Sequence, residues 1–221
     1  AVPPHLTLVK TVINNSGGTH NATEWTLSAT GSGGFSGVGT ANATSAADDA
    51  VKGPVIVNAN TQYTLGESGP NGYTAGSWSC NGGTFTGPDK ITLSLGQSAT
   101  CTINNDDVAP QLTLVKIVTN DNGGSHNATE WTLTATGTGG FSGVGTANAT
   151  SAADDAVKGP IGVNANTQYT LSESSISGYA PGSWSCIGGT FTGPDKITLA
   201  EGQSATCTIN NDDVAPQLTL V

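Results

Sequence analysis

Leu6-Thr7-Leu8-Val9-Lys10 returns as Leu112-Thr113-Leu114-Val115-Lys116, 106 positions later. The same offset carries Trp25 to Trp131, Phe35 to Phe141, Tyr63 to Tyr169, Cys80 to Cys186 and Asn105 to Asn211, without insertion or deletion. A period of this size exceeds a solenoid unit and suits a whole domain, so the chain reads as two tandem beads, residues 1–106 and 107–212. A third copy begins at residues 213–221, where a linker leads into Leu218-Thr219-Leu220-Val221. That tail is expected to be the first strand of a further repeat in a longer array. The alternative is a strand exchanged with a neighbouring molecule by strand addition, which would cover an otherwise sticky edge.

Outward from the opening motif, the beads read as all-β. Glu24-Trp25-Thr26-Leu27-Ser28-Ala29 alternates polar with apolar, as a half-buried strand should, and so do Gln62-Tyr63-Thr64-Leu65, Lys90-Ile91-Thr92-Leu93 and Thr100-Cys101-Thr102-Ile103. Turn signals separate them at Ser16-Gly17-Gly18, Gly31-Ser32-Gly33-Gly34, Gly69-Pro70-Asn71-Gly72, Asn81-Gly82-Gly83 and Gly87-Pro88-Asp89. Roughly seven strands per repeat predict a Greek-key, immunoglobulin-like β-sandwich of about 100 residues. The joint between beads is short, contains Pro and is expected to be stiff.

Composition agrees. Gly is abundant (31 residues) and charged residues make up only 10%, which suits short strands and many turns. The formal charge is −10, with Lys but no Arg, so a phosphate-backbone partner is excluded on electrostatic grounds. An acidic surface keeps a secreted polymer soluble and can collect calcium. No apolar run is long enough to cross a bilayer as a helix. Ala1-Val2-Pro3-Pro4 is compatible with a leader already removed.

Three polar residues per repeat fall in phase with core positions. Lys10 follows Leu6 and Leu8, Glu67 follows Tyr63 and Leu65, and Asn105 follows Cys101 and Ile103. Lys116, Glu173 and Asn211 repeat the trio. Tyr63-Thr64-Leu65-Gly66-Glu67, followed by Gly69-Pro70-Asn71-Gly72-Tyr73, resembles the Tyr-x-Leu-x-Glu…Pro-x-Gly-Tyr signature of collagen-adhesin B-type repeats. Those are the prealbumin-like, SpaA-type sandwiches of Gram-positive pilins and surface adhesins. In the second repeat Tyr169-Thr170-Leu171-Ser172-Glu173 and Gly178-Tyr179 match, while Ile176 stands in place of the Pro. The resemblance implies an intramolecular isopeptide between a first-strand Lys and a last-strand Asn, assisted by the Glu. Carried over, it implies bonds Lys10–Asn105 and Lys116–Asn211, with Glu67 and Glu173 as the assisting acids.

Elementary electrostatics supports the same reading. A buried ammonium and a buried carboxylate each cost several kcal/mol to desolvate, and burial favours the neutral amine and the neutral acid. Strand positions then supply proximity, and the amide product carries no charge. The competing reading is a Lys–Glu ion pair at the sandwich end, with the Lys stem snorkelling outward. Asn104 is the alternative partner if a bulge shifts the register by one.

Each repeat holds two cysteines at matching positions, which implies bridges Cys80–Cys101 and Cys186–Cys207. Zinc would need different spacing and nearby His. Disulfides place the protein outside the cytoplasm. The histidines His5, His20 and His126 pair with no recognisable nucleophile, so substrate turnover is not expected. Among the acids, Asp106, Asp107 and Asp121 are the calcium candidates, against the plainer reading of solvated loop carboxylates. Asn14, Asn21, Asn42, Asn127 and Asn148 begin Asn-x-Ser/Thr triplets, which arise readily by chance in a Thr-rich chain. Trp25, Trp78, Phe35, Tyr63 and Tyr73 read as core and corner aromatics.

The expected function is that of a load-bearing repeat of an extracellular surface fibre, stalk or pilus-like filament, with further copies of itself as partners. An adhesin module binding a host or matrix ligand through surface loops is the alternative. Residues 33–50 and 139–156 are identical, which favours interchangeable spacers over a bead with its own binding loops.

Overall fold

The computed structural model describes residues 1–43, 47–149, 151 and 153–220. Thr44 and Thr150, which complete two of the Asn-x-Thr triplets, lie outside the described residues, as does Val221. The chain forms two compact units, Ala1–Val108 and Ala109–Val221.

In the first unit the strands are β1 (His5–Ile13), β2 (Thr26–Thr30), β3 (Phe35–Val38), β4 (Thr40–Ala41), β5 (Asp48–Ile56), β6 (Gln62–Ser68), β7 (Tyr73–Ala75), β8 (Ser79–Asn81), β9 (Thr84–Thr86), β10 (Lys90–Thr92) and β11 (Ser98–Asp107). The second unit repeats them as β12 (Gln111–Thr119), β13 (Thr132–Thr136), β14 (Phe141–Val144), β15 (Thr146–Ala147), β16 (Asp154–Gly162), β17 (Gln168–Glu173), β18 (Tyr179–Pro181), β19 (Ser185–Ile187), β20 (Thr190–Thr192), β21 (Lys196–Thr198) and β22 (Ser204–Asp213). The strands outnumber the seven expected because short pieces break away at turn residues. Gly39 parts β3 from β4, and residues 76–78 part β7 from β8, although both of those pair with β11.

Two sheets make each sandwich. One runs β4-β5-β1-β11-β7, with β8 also on β11, and the other runs β3-β2-β6-β10-β9. β1 pairs parallel with β11 and antiparallel with β5, so the first strand of the bead is central in its sheet. Between the sheets, the alternating apolar positions interlock as Leu6, Leu8, Leu27, Leu65, Ile91, Leu93 and Ile103 around Tyr63. The Tyr63 hydroxyl accepts from Asn58 N at 2.8 Å and donates to Ser32 O at 2.7 Å, which satisfies the polar end of a buried ring. A second, smaller cluster of Val12, Ala22, Trp25 and Ala50, with Tyr73 against it, closes one end.

One expected strand begins later than its alternation suggested. Ala22–Glu24 is a single 3-10 turn and β2 starts at Thr26. Glu24 Oε1 accepts from Asn21 N at 2.7 Å, a local bond that competes successfully with sheet pairing. Among the described residues beyond β22 there is no strand, and Leu218 and Leu220 are 85% and 87% exposed, whereas their counterparts Leu112 and Leu114 are fully buried.

Candidate crosslinking site

Lys10 points inward from β1, level with Ala50 on β5 and Ile103 on β11, and its side chain is wholly buried. Glu67 comes from the opposite sheet, where β6 lies beside β2 with Glu67 level with Leu27. It crosses the sandwich so that Oε2 stands 2.6 Å from Lys10 Nζ. Asn105 is two residues beyond Ile103 in β11, on the same inward face, level with Val12. It is 5% exposed, and among the described residues its Oδ1 has no hydrogen-bond partner. A diagonal same-face neighbour on an adjacent strand lies of the order of 7–8 Å away between backbones, within reach of a lysine side chain.

The alternative carboxamide is placed elsewhere. The β1–β11 ladder runs from His5–Ser98 to Ile13–Asp106 without a shift, so Asn104 aligns with Thr11 on the outer face, where it is exposed.

The second unit repeats the arrangement. Lys116 is fully buried and its Nζ lies 2.7 Å from Glu173 Oε2, while Asn211 is 2% exposed and its Oδ1 has no hydrogen-bond partner among the described residues. Here the amine–carboxylate contact lies off the hydrogen-bond direction, so neither atom is satisfied in that sense. At this separation their attraction is set by charge rather than angle, and the pair is as close as in the first unit.

Trp25 completes the chamber. Its ring centroid lies 4.9 Å from Lys10 Nζ, and Trp131 stands equally far from Lys116 Nζ. Tyr73 meets Trp25 edge-on at 5.2 Å, and His20 meets Tyr73 at 5.7 Å, so a file of three rings extends from the one over the amine. His20 Nδ1 contacts Glu24 Oε2 at 2.7 Å, as His126 does Glu130. Trp25 read as a core aromatic, and nothing in its local pattern marked it as the residue over the amine, because it sits just before β2 at the end of the 3-10 turn.

Burial pushes the Lys10 amine below the ordinary lysine range, outweighing the opposing hydrogen bond and charge of Glu67. Lys116 beside Glu173 is lowered for the same reason. The chamber thus holds an amine moved toward its nucleophilic form, a carboxyl group at proton-transfer distance, and a carboxamide whose oxygen is unpaired.

The cysteines are bridged as Cys80–Cys101 and Cys186–Cys207, each between residues 21 apart. Cys80 and Cys101 face each other on β8 and β11.

The acids fall differently from their sequence grouping. Carboxylate oxygens of Asp121, Asp212 and Asp213 lie within 4.8 Å of one another, an arrangement of three oxygens that a metal ion could use. Asp106 and Asp107 belong to the other unit, where Asn15 occupies the place of Asp121. Asp213 already accepts from the backbone N–H groups of Asp121, Asn122 and Gly124, so its lone pairs are spent on a loop.

A family model described as a prealbumin-like fold domain matches residues 2–103 and again 107–209, and the chain belongs to that family as two tandem copies. Among solved structures the chain is similar to the Bacillus anthracis TIE protein, at 16% identity and a TM-score of 0.51. That match covers 95% of this chain and 34% of the other, about a third of its length. It is also similar to the major pilin T-13 of Streptococcus pyogenes, at 12% identity and a TM-score of 0.40, covering 97% and 98% of the two chains. The C-terminal fragment of the pilus adhesin SpaC from Lactobacillus rhamnosus GG gives 14% identity and a TM-score of 0.44, covering 96% and 99%. At 16% identity the likeness to the TIE protein is one of fold alone. A comparison with curated proteins gives no match. Among the described residues no helix is long and apolar enough to cross a membrane.

Proposed function

We propose that the chain is a load-bearing spacer of an extracellular surface fibre, stalk or pilus-like filament, each domain locked by an isopeptide bond, Lys10–Asn105 or Lys116–Asn211. The observation that carries this is the wholly buried amine in contact with a carboxyl group, beside a buried carboxamide whose oxygen has no partner. A lone solvation-starved ion pair in a core contributes little, and apolar residues of similar size would commonly do as well. The trio gains a purpose once it reacts.

The step balances without any cofactor. A proton passes from Lys10 Nζ to Glu67 across their 2.6 Å contact, leaving a free amine and a neutral acid. The acid donates to Asn105 Oδ1 while Nζ attacks Cγ. The new C–N bond forms, the proton lost by Nζ is relayed to Nδ2, the Cγ–Nδ2 bond breaks, and one ammonia leaves. Glu173 serves Lys116 and Asn211 in the same way.

The mechanical role follows from which strands are joined. β1 leads into the bead and β11 leads out, so the bond lets tension pass through the crosslink instead of through the sandwich. The disulfides agree with an oxidising compartment. Further copies of the domain, in series along the array, are the partners this reading supplies.

Intact mass under reducing conditions is the test. Two bonds require a deficit of two ammonia molecules against the sequence mass; a mass equal to the unmodified sequence removes the mechanism.

A further inference from the structure

Asp107 stands two residues beyond Asn105 on the same inward row of β11 and is 5% exposed. A solvated loop acid would face outward. This one turns in, and its Oδ1 accepts from Asn15 N at 2.9 Å and Ser16 N at 3.0 Å, while its Oδ2 accepts from Ser16 N at 2.9 Å and Gly18 N at 2.6 Å. Those donors belong to the loop that follows β1, about ninety residues away in sequence. Tyr73 Oη donates to Asn14 Oδ1 at 2.6 Å and accepts from His20 N at 3.2 Å, which fastens the loop at its other side. Gly18 admits no side chain there, since a Cβ would fall on Tyr73 Oη and within 2.8 Å of Asp107 Cβ. Asp213 repeats the arrangement with Asp121, Asn122 and Gly124.

We propose that Asp107 and Asp213 are positioning residues of the crosslinking reaction, each drawing the loop after the first strand over the end of the sandwich and fixing the register of the last strand. The inference rests on the isopeptide reading above. Its physical core is the period of two: a slip of β11 by one residue would turn Asn105 to solvent and bring Asn104 inward. Charge-assisted bonds to fixed backbone donors hold Asp107 in one place, and with it the residue two positions before. The same loop, packed beneath Tyr73, helps exclude water from the amine.

The test uses the full chain made by cell-free synthesis and sampled over time, with ammonia loss counted separately for each repeat by peptide mass, and disulfide formation as the sign that each unit has folded. In the wild type both repeats lose ammonia. In Asp107→Ala the first repeat forms Cys80–Cys101 but crosslinks about ten- to a hundredfold more slowly, as expected for a misplaced reactant, while the second keeps the wild-type rate. Asp213→Ala gives the mirror image. Both repeats of Asp107→Ala crosslinking at the wild-type rate overturns the proposal. Should Asp107→Ala fail to form its disulfide, Asp107→Asn decides. One oxygen then still meets Asn15 and Ser16 while an amide faces Gly18 N–H, so slower crosslinking of the first repeat is expected, and an unchanged rate overturns the proposal. A wild type that keeps both ammonias fails earlier, at the isopeptide reading itself.

Discussion

Lys10 and Asn105 face the same way on adjacent parallel strands, Lys10 level with Ile103 and Asn105 level with Val12. Because the strands are parallel, the start of β1 and the end of β11 lie at opposite ends of their shared ladder. Pulling on the two termini of a bead therefore shears this ladder, the geometry in which many backbone bonds must yield together. A covalent bond from Lys10 to Asn105 would leave, of these two strands, only His5–Val9 and Asp106–Asp107 outside the locked segment.

Single-molecule extension should show this directly. In the wild type under oxidising conditions a bead gives no long unfolding step. With Lys10→Ala in the first repeat the chain between residues 10 and 105 becomes extensible, except for the 21 residues spanned by Cys80–Cys101. At about 3.4 Å per residue the released length is roughly 250 Å, and reduction of the bridge adds about 70 Å. A long step in the oxidised wild type would contradict the clamp.

Glu67→Gln keeps the shape of the side chain and removes its ability to take and return a proton. The first repeat should then retain its ammonia while the second loses one. The variant also leaves a buried amine without its counter-charge, at a cost of about 3–5 kcal/mol. Lys10→Met added to Glu67→Gln should recover most of that loss, measured by denaturant unfolding. A double variant no more stable than the single would mean that the amine is not desolvated in the folded bead.

Much of this was legible in the sequence because it is local or periodic. The phase of Lys10 after Leu6 and Leu8, of Glu67 after Tyr63 and Leu65, and of Asn105 after Cys101 and Ile103 announces three inward polar groups, and the even, matching cysteines announce the bridges. What escaped depends on chain segments far apart. The place of Trp25 over Lys10 follows from how the 3-10 turn at Ala22–Glu24 docks, and the alternation from Glu24 to Ala29 draws Glu24 and Trp25 into a strand that begins only at Thr26. Asp107 read as a loop acid beside Asp106 since its donors lie near residue 16. Asp121 joined Asp212 and Asp213 for the same reason.

The lowered Lys10 pKa sets a pH dependence whose sign can be worked out. Burial is the largest cause, and the hydrogen bond and charge of Glu67 oppose it. In a bead that cannot crosslink, Asn105→Ala, the unfolded chain holds the Lys10 proton more tightly than the folded one. The penalty is full below the folded pKa and gone above the unfolded value of 10.5. Stability of Asn105→Ala relative to Lys10→Met/Asn105→Ala should therefore rise as pH climbs toward 10.5, read as the difference between the two denaturation midpoints. A flat difference would place the amine in water. In wild-type chain freshly made by cell-free synthesis, before its bond has formed, ammonia release should accelerate over the same interval, since the free amine is the nucleophile.

Asp213 sets the opposite dependence at the acid end. Its burial raises the carboxyl pKa, but the backbone N–H groups of Gly124, Asn122 and Asp121 and the Asn122 side chain together hold it below the usual aspartate value of 3.8. A depressed carboxyl contributes stability that is complete above 3.8 and disappears as pH falls through the folded value. The loop residues Asp121, Asn122 and Gly124 should thus keep slow amide exchange, compared at equal intrinsic rate, until the pH is below that of an ordinary aspartate, and then lose it together. Asp213→Asn cannot ionise, so its loop should exchange faster near neutrality and show no further loss on acidification. Since the crosslink would already be formed, this opening leaves the mass of the wild type unchanged. Exchange that is fast in the wild type at neutral pH, or an acid-induced loss that persists in Asp213→Asn, would show that the carboxylate does not hold this loop.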